Sequence, residues 1–562
     1  LHFALKASDA DNPTWTEAVN GADAEEFYTA MDLEILQLHT KGAWKVISRD
    51  KARKDNEIRT PGETFKVLGS TWAFKRKRFP DGLLKKIKAR ICCRGDEQKV
   101  GVDVFETFAP VVGWSTVRLL LTMSVALNLE TQQVDYANAF IQADLPSPQY
   151  MEMPRGYATP GMVFELKKSI YGLQEAPLLW FNKLRAGLER TGFVASPHDA
   201  CLFYNKERNS SCVVWVDECL YFAKDATEIS KAIEALQGEG FDLDRESSVA
   251  GFLGIEMRNR EDGLMELLQT GLIDRILDVL GLDEESNGRP TPTKKTPAQY
   301  GALGKDLNGE ARLEQWSYPS VIGMMLYLMN NSRSDITFSV SQAARFSRDP
   351  KRSHEEAVKR IGRYLLRTRH RGMVIKPNKG LKLDMYVDAD WAGLWGYDDP
   401  QDPGCVRSRT GYVITLGEVP VVWGSKLQTE IATSTMIAEY IALSTSMGHL
   451  VPIRRVFKDL VEVYGMEHDK DTTISAVWED NSAAEILATL PLPRTTPKSK
   501  TFAIKYHWFR EHVSKNSIWV KAVRSADQTA DGMTKGLREP LFVPWREKML
   551  GWTDPKEYDV RV

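Results

Sequence analysis

The stretch Ser211-Cys-Val-Val-Trp-Val-Asp-Glu-Cys-Leu-Tyr-Phe-Ala223 sets two adjacent carboxylates, Asp217 and Glu218, between two apolar runs with many β-branched and aromatic residues. Runs of that composition on either side of a polar pair predict two strands joined by a tight turn, with the acids at its tip. Flanks this apolar have to be buried, so the chain must build a sheet around the hairpin. On its own the stretch fits two readings equally. One is a metal site at the end of a buried sheet; the other is a turn that is acidic because turns tolerate Asp.

The 562 residues exceed what one hydrophobic core supports, so roughly two to four domains are expected. No apolar run approaches the ~20 residues of a membrane span, and the N-terminus lacks the pattern of a signal peptide, so no membrane partner is expected. The first residue is Leu, which suggests a piece of a longer polyprotein. Cys92, Cys93, Cys201, Cys212, Cys219 and Cys405 form no C-x-x-C pair, which predicts free thiols, without zinc or disulfides. A net charge of −2 hides two basic clusters. One gathers Lys75, Arg76, Lys77, Arg78, Lys85, Lys86, Lys88, Arg90 and Arg94. The other runs from Arg345 to Arg371 and includes Lys359, Arg363 and Arg367 at i, i+4, i+8, beside an apolar face of Ala357, Ile361, Tyr364 and Leu365. Two local basic surfaces on a neutral chain fit a phosphate backbone, with Lys75, Lys77, Lys359, Arg363 and Arg367 as nucleic-acid-binding candidates; a solvated helix face is the plainer reading of the second.

Taken in order, residues 15–39 carry helical periodicity through Trp15, Val19, Phe27, Met31, Ile35 and Leu38. After a Pro61-Gly62 break, strands are predicted over 71–75 and 84–93 around Pro80-Asp81-Gly82, a basic two-stranded flap. Residues 117–129 read as a helix, and Gln133-Val-Asp135 follows. Further on, residues 381–388 read as a strand ending in acid, 410–416 and 419–423 as two more strands, 433–447 as a helix holding Glu439, and 474–477 as a strand running into Glu479-Asp480. A last strand over 518–523 precedes Asp527 and Asp531.

Several blocks carry a family resemblance: Lys88-Ala-Arg, Gly101-Val-Asp, Glu106-Thr-Phe-Ala-Pro-Val-Val, Val117-Arg, Gln133-Val-Asp, Ala139-Phe, Tyr150-Met-Glu-Met-Pro, Ser169-Ile-Tyr-Gly-Leu, Ala176-Pro, Trp180, Val216-Asp217 and Phe252-Leu-Gly-Ile. In order and spacing they resemble the reverse transcriptases of copia-type retrotransposons, and the likeness runs from about Trp15 to Lys535. The resemblance implies an α+β palm, fingers and thumb polymerase followed by an α/β ribonuclease H-like domain with a mixed five-stranded sheet and flanking helices. The expected boundaries are a frayed 1–14, fingers and palm over 15–255, thumb and connection with the basic helix over 256–380, the ribonuclease H-like domain over 381–540, and an extension over 541–562.

Phosphoryl transfer to a primer 3′-hydroxyl calls for two divalent ions held by carboxylates. By resemblance Asp135 and Asp217 are metal-binding catalytic aspartates, with Glu218 at the third position. Lys88 and Arg90 match residues that meet the incoming triphosphate, and Phe140 the bulky residue that excludes a ribose 2′-hydroxyl, although plain core packing also explains Phe140. In the second unit Asp388, Glu439, Asp480 and Asp531 carry over as a second catalytic metal-binding set, with Asp527 competing for the fourth place and Asp390 and Glu479 left outside it. Mg²⁺, two ions per site, is the expected cofactor, with Mn²⁺ as a substitute. The implied partners are an RNA template, a DNA or tRNA primer, the RNA–DNA hybrid, dNTPs, and the integrase and protease of a parent polyprotein. The implied location is a virus-like particle in the cytoplasm, and the nucleus, without secretion.

Three departures from the family pattern bear on activity. Glu218 stands where the family has Asp, with a carboxylate about 1.5 Å further out, more than the ~0.5 Å that active-site geometry tolerates. Gln174-Glu175 replaces Lys-Gln, putting a negative charge near the expected template. Thr501, Ala503 and Ile437 replace a histidine, an aspartate and a glutamate of the nuclease pattern, and His507 reads as a packed or surface residue. The alternative reading is therefore a decayed or co-opted copy that binds nucleic acid with weak or absent polymerase activity and retains at most the nuclease.

Overall fold

The computed structural model describes residues 11–59, 65–78, 84–99, 101, 104–246, 249, 251–293, 303–396, 399, 401–466, 474–491, 494, 504–515 and 517–553. The predicted turns at Pro61-Gly62 and Pro80–Gly82, together with Thr501 and Ala503, lie outside them.

The hairpin forms as its composition predicts. Strands Ser210–Trp215 and Glu218–Ala223 pair antiparallel through a two-residue turn, Val216-Asp217. Both strands are buried almost throughout, so they sit inside a six-stranded antiparallel sheet. Its order runs Leu243–Arg245, Glu130–Tyr136, Glu218–Ala223, Ser210–Trp215, Leu202–Asn205, Val194–Ala195. Helix Ala226–Gly238 packs across the strands that carry Asp135 and Glu218.

The basic flap is also a hairpin, Ser70–Arg78 with Leu84–Cys93. The two-residue side-chain period divides it cleanly. Phe74 and Ala89 face Phe27 and Met31 of helix Ala24–Thr40 in a small core of their own. Lys75, Lys77, Lys86, Lys88 and Arg90 take the opposite face. The base of the flap is stitched to the turn at Tyr171-Gly172, where Cys93 N–H donates to Tyr171 O at 2.7 Å. Gly172 has φ +95°, and a Cβ there would lie 2.0 Å from Cys93 O, so only glycine permits this approach.

The single helix expected over 15–39 is two helices, Trp15–Asn20 and Ala24–Thr40. The first ends at Gly21, whose Cβ would meet Glu17 O at 2.6 Å. Periodicity continued across the break because both helices bury the same face, and periodicity alone cannot see a helix stop.

Beyond the six-stranded sheet, a four-stranded one (Gly251–Phe252, Ile255–Asn259, Met265–Leu268, Met373–Ile375) is closed by helices Thr270–Leu280, Tyr318–Asn331, Thr337–Ala344 and Arg352–Arg367. A buried ion pair anchors this region. Arg333 Nη2 and Nε donate to Asp335 at 2.8 and 3.0 Å, Arg333 also donates to Thr368, and Tyr364 OH donates to Asp335. With these hydrogen bonds made, both charges are tolerated out of water.

The last unit is a mixed five-stranded sheet in the order Val419–Leu427, Arg409–Leu416, Leu383–Asp390, Ser475–Glu479, Ile518–Ala522. The first three strands form an antiparallel meander, and the last two run parallel to the middle one. The helix expected over 433–447 continues to Val463, 29 residues in all, through Gly448 and Pro452. Leu450, Val456, Phe457 and Leu460 keep its inner face buried well past both breakers. Its far end reaches the first sheet: Ser196 Oγ donates to Asp459 at 3.0 Å, and Tyr464 OH lies 2.6 Å from Ser211 Oγ. The stretch from 541, read as an extension, belongs to helix Glu539–Leu550, whose Phe542, Trp545, Met549 and Leu550 are buried in the main core.

The two halves meet on Arg118. From the buried face of helix Trp114–Leu127, its guanidinium donates to Val421 O and Asn330 O, each at 2.8 Å, and stacks 4.1 Å over Trp423. Those acceptors belong to the five-stranded sheet and the Tyr318–Asn331 helix, so one side chain ties three units together. Burial lowers its pKa, the cost of placing a cation there without an acid. Arg118→Met keeps the apolar stem and strands the two carbonyls. It is expected to cost about 2–4 kcal/mol, read as a lower thermal midpoint; an unchanged midpoint would refute the tie.

Candidate active sites

The first site is built by strand register. Glu218 pairs directly with Asp135, and Asp135 in turn with Asp244, so the three residues form a row across three strands. Asp217 occupies the turn itself, and its carbonyl accepts from Tyr136 N–H at 2.8 Å. Val216 has φ +49°, costly for a β-branched residue. Trp180 holds that turn from below by donating its indole N–H to Val216 O. The strain is therefore met by a buried indole, and the outcome is an Asp217 that projects past the strand ends.

Burial raises the Asp135 pKa, and Asp217 and Glu246 raise it further, against Lys88 and Lys77. Glu218 is likewise raised, first by burial and then by Asp217 and Asp135. Its Oε2 accepts from Leu253 N–H at 3.3 Å. Asp135, Asp217 and Glu218 are thus close enough to repel one another. They do not, however, bring one oxygen each within 4.8 Å of one another.

The flap turns its basic face toward this row. Lys88 is pulled down to about 8 by burial, then by Lys77, Arg90 and Lys86, with Asp135 acting in the opposite direction. Lys75 and Lys77 are exposed on the same face. Arg90 stacks 4.6 Å over the Tyr171 ring, and Tyr171 meets Phe140 edge-on at 4.8 Å. Tyr171 was not singled out from sequence, although it lies inside a recognised block. It carries contact from Arg90 to Phe140, and its own field includes Asp217 and Asp135.

Glu175 does not face this site. It is buried, accepting from Gln98 Nε2 at 2.9 Å and from Gln149 Nε2, in a polar joint under the flap. The charge expected near a template is instead an internal acceptor. The basic helix also differs from its reading as an open stripe. Lys359 is paired with Glu314, and Arg363 and Arg367 are half-buried beneath the segment around Gly288 and Arg289. Helical spacing had aligned them correctly but could not reveal the segment that covers them.

The second site is tighter. Asp388, Glu439 and Asp480 each present an oxygen within 4.8 Å of the others, the one such trio of acids, histidines or cysteines among the described residues. Parallel pairing of Tyr386 with Trp478 explains two of them, since two residues further along both strands stand Asp388 and Asp480. Glu439 comes from the start of the long helix, which crosses the same strand. Asp388 is 4% exposed and pushed up to about 7, chiefly by burial. Glu439 is pushed well up by burial, then by Glu479 and Asp388. Glu479, left out of the predicted set, is fully buried, and its Oε2, like Glu439 Oε2, has no hydrogen-bond partner. A buried oxygen without a donor is what a cation would satisfy, so these residues fit a divalent ion.

Asp531 lies half-buried beside the trio rather than within it. Lys535 Nζ lies 2.7 Å from it, and it contributes to the field at Asp388. Asp527 is exposed and paired with Arg524 at 2.6 Å. The two candidates for the fourth place are therefore separated by position. Gly411, paired with Asp388, makes the arrangement possible: a Cβ there would meet Thr534 and Met533 at 2.6 and 2.7 Å. Its absence lets the short helix Asp531–Thr534 lie on the sheet, where Thr534 Oγ1 donates to Asp388. Ile437 is half-buried on the same long helix, and His507 Nδ1 lies 2.8 Å from Tyr440 OH in a packed position.

Residues 57–295 match the reverse transcriptase (RNA-dependent DNA polymerase) family. The chain is 31% identical over 553 residues to the retrovirus-related Pol polyprotein from transposon RE1 of Arabidopsis thaliana, covering 97% of this chain and 35% of that protein. It is 29% identical over 545 residues to the Pol polyprotein from transposon TNT 1-94 of Nicotiana tabacum, covering 95% of this chain and 38% of the relative. The chain thus spans little more than a third of the length of these curated relatives. A foamy viral protease–reverse transcriptase in complex with double-stranded DNA superposes with a TM-score of 0.46 at 12% identity, over 88% of this chain and 69% of that one, a likeness too weak to carry an argument.

With divalent ions chelated, Asp388 carries the raised pKa into stability. Its folded value of about 7 lies above an unfolded value near ~3.9, so the folded protein binds the extra proton and loses stability as pH rises across that window. Asp388→Asn is expected to raise the thermal midpoint at pH 8 in chelator and to flatten its fall between pH 4 and 7. An unaltered slope would mean the carboxylate is not under this strain.

Proposed function

We propose that this chain, similar over most of its length to the Pol polyproteins of copia-type retrotransposons and matching the reverse transcriptase family over residues 57–295, is an RNA-directed DNA polymerase joined to a nuclease that cleaves the RNA of the hybrid. The observation that carries the first activity is the neighbouring pair Asp135 and Asp217 beside the basic flap. The second rests on the trio of buried Asp388 and Glu439 with half-buried Asp480.

At both sites divalent ions such as Mg²⁺ would supply Lewis acidity toward the attacking and leaving oxygens. Asp135 and Asp217 would hold them in the polymerase, and Asp388, Glu439, Asp480 and Asp531 in the nuclease. The remaining work falls to the chain. Lys88 and Arg90 offer cationic donors where a dNTP triphosphate would enter, Arg90 being the better pre-set by its stack on Tyr171. Phe140, half-buried against Tyr171, supplies a rigid wall where a ribose 2′-hydroxyl would crowd. Lys75 and Lys77 extend the positive face for a phosphate backbone. An RNA template, a primer and the resulting hybrid are the macromolecular partners of this reading.

The second reading, nucleic-acid binding with a weak polymerase, is favoured by one feature: the Glu218 carboxylate is engaged with Leu253 N–H. Primer extension on an RNA template with Mg²⁺ or Mn²⁺ separates the two. The wild type is expected to extend. Even outer-shell losses at metal sites cost about 10–100-fold, so Asp217→Asn should lose at least ~100-fold while hybrid binding persists. In the same preparation Asp480→Asn should abolish hybrid cleavage and leave extension intact. Extension indifferent to Asp217→Asn, or cleavage indifferent to Asp480→Asn, would overturn the corresponding half.

A further inference from the structure

Glu218 is the residue whose side chain the acid row does not explain. It lies in register with Asp135, yet its carboxylate reaches sideways to another sheet. Oε2 accepts from Leu253 N–H at 3.3 Å, and on the far side of the same residue Leu253 O accepts from Tyr327 OH at 2.6 Å. Leu253 sits in the tight turn between strands Gly251–Phe252 and Ile255–Asn259, with φ +54°, a conformation a leucine holds only under constraint. Tyr327 comes from the middle of helix Tyr318–Asn331. A continuous path therefore runs from the catalytic hairpin, through one strained peptide, to a helix of the following unit.

We propose that Glu218 is a positioning residue: its carboxylate fastens the Asp217 turn to the Leu253 turn, and the extra methylene is what lets it reach. The proposal rests on the polymerase reading for its catalytic consequence, but the tie itself does not. Three observations support it. The oxygens of Asp135, Asp217 and Glu218 do not converge within 4.8 Å, while those of the second site do. Leu253 N–H points out of a two-residue turn, where no ladder partner is available, so the carboxylate satisfies a donor that would otherwise be left over. Finally, a side chain shorter by one methylene, about 1.5 Å, would place its oxygen near ~4.8 Å from that N–H, beyond any hydrogen bond.

This assignment reverses what a metal-ligand role demands of the two conservative variants. A ligand needs the charge and tolerates only small changes in reach, so Glu218→Asp would preserve or improve it and Glu218→Gln would disable it. A tether needs the reach and an acceptor oxygen, both of which Gln retains. The test measures primer extension and amide hydrogen exchange on the full chain for wild type, Glu218→Asp and Glu218→Gln. Glu218→Gln is expected to extend within about threefold of wild type and to leave the Leu253 amide protected. Glu218→Asp is expected to lose about tenfold or more in extension, a factor of ten being one charged hydrogen bond's worth, and to speed exchange at Leu253. Tyr327→Phe, which loosens the other side of the peptide, should speed the same amide. Glu218→Asp matching or exceeding wild type, or Glu218→Gln falling as far as Glu218→Asp, would overturn the proposal. If no form of the protein extends a primer, the polymerase reading fails and the Leu253 amide alone decides: faster exchange in Glu218→Asp upholds the tether, unchanged exchange sinks it.

Discussion

Carboxylates crowded close to one another are the constraint around which both sites are arranged. At the second site burial and mutual repulsion make Asp388, Glu439 and Glu479 costly to charge, and several neighbours answer that cost. Lys535 supplies the nearby ammonium. Thr534 Oγ1 donates to Asp388, Ser525 Oγ to Asp480 at 2.8 Å, and Asn481 N–H to Glu479 at 3.1 Å. Donors this numerous lower the penalty without removing it, since two oxygens remain unpartnered. Structures rarely keep such a debt unless a ligand relieves it. The first site handles the same problem differently. Its acids sit at a sheet end within reach of a positive flap, so the repulsion is answered by Lys88 and Lys77.

Both arrangements depend on the units keeping their relative positions. Arg118 joins the helix above the first sheet to a strand of the second, and the long helix carries Glu439 at one end and contacts with Ser196 and Ser211 at the other. An arginine without an acid is an expensive way to make that joint. It is suited to the task because a planar guanidinium can serve two carbonyls from different units while stacking on Trp423. The cation therefore fixes orientation as well as proximity, which apolar packing alone would leave free to slide.

Much of this was legible in the sequence where a local rule decides the outcome. Alternating apolar residues set the hairpins and the five strands, and acids at strand ends marked the two sites before any register was known. What escaped was mostly tertiary. The continuation of the long helix past Pro452 and the burial of the last helix turn on partners far away in sequence, while the Asn20–Asp23 break is a local stop at Gly21 that periodicity does not register. Lys359, Arg363 and Arg367 align on one face as spacing requires, yet Glu314 and the Gly288 segment close over them. Glu175, read as a charge facing a template, is paired inward with Gln98 and Gln149. Glu479 was left out as a near neighbour of the chosen acids, and its complete burial beside Glu439 shows only in the folded chain. The strand ends at Glu479, and both it and Asp480 lie close enough to act on Glu439.

The difference between the two acid groups bears on what a substitution at Glu218 means. In the second site Asp388 and Glu439 are buried on the elements beneath them, so a methylene more or less would shift an oxygen against close neighbours. At the hairpin tip Asp217 occupies a strained turn, and Glu218 begins a strand from which its own side chain reaches the Leu253 turn. There an added methylene moves the carboxylate into a space that already holds a free donor. The longer arm therefore need not be read as damage to a metal site. Asp135 and Asp217 can carry the charge that the chemistry requires, and the third acid can hold the turn that presents them. On that division of labour the hairpin remains the organising feature of the chain, with one carboxylate in the turn beside Asp135 and the next tied to the fold.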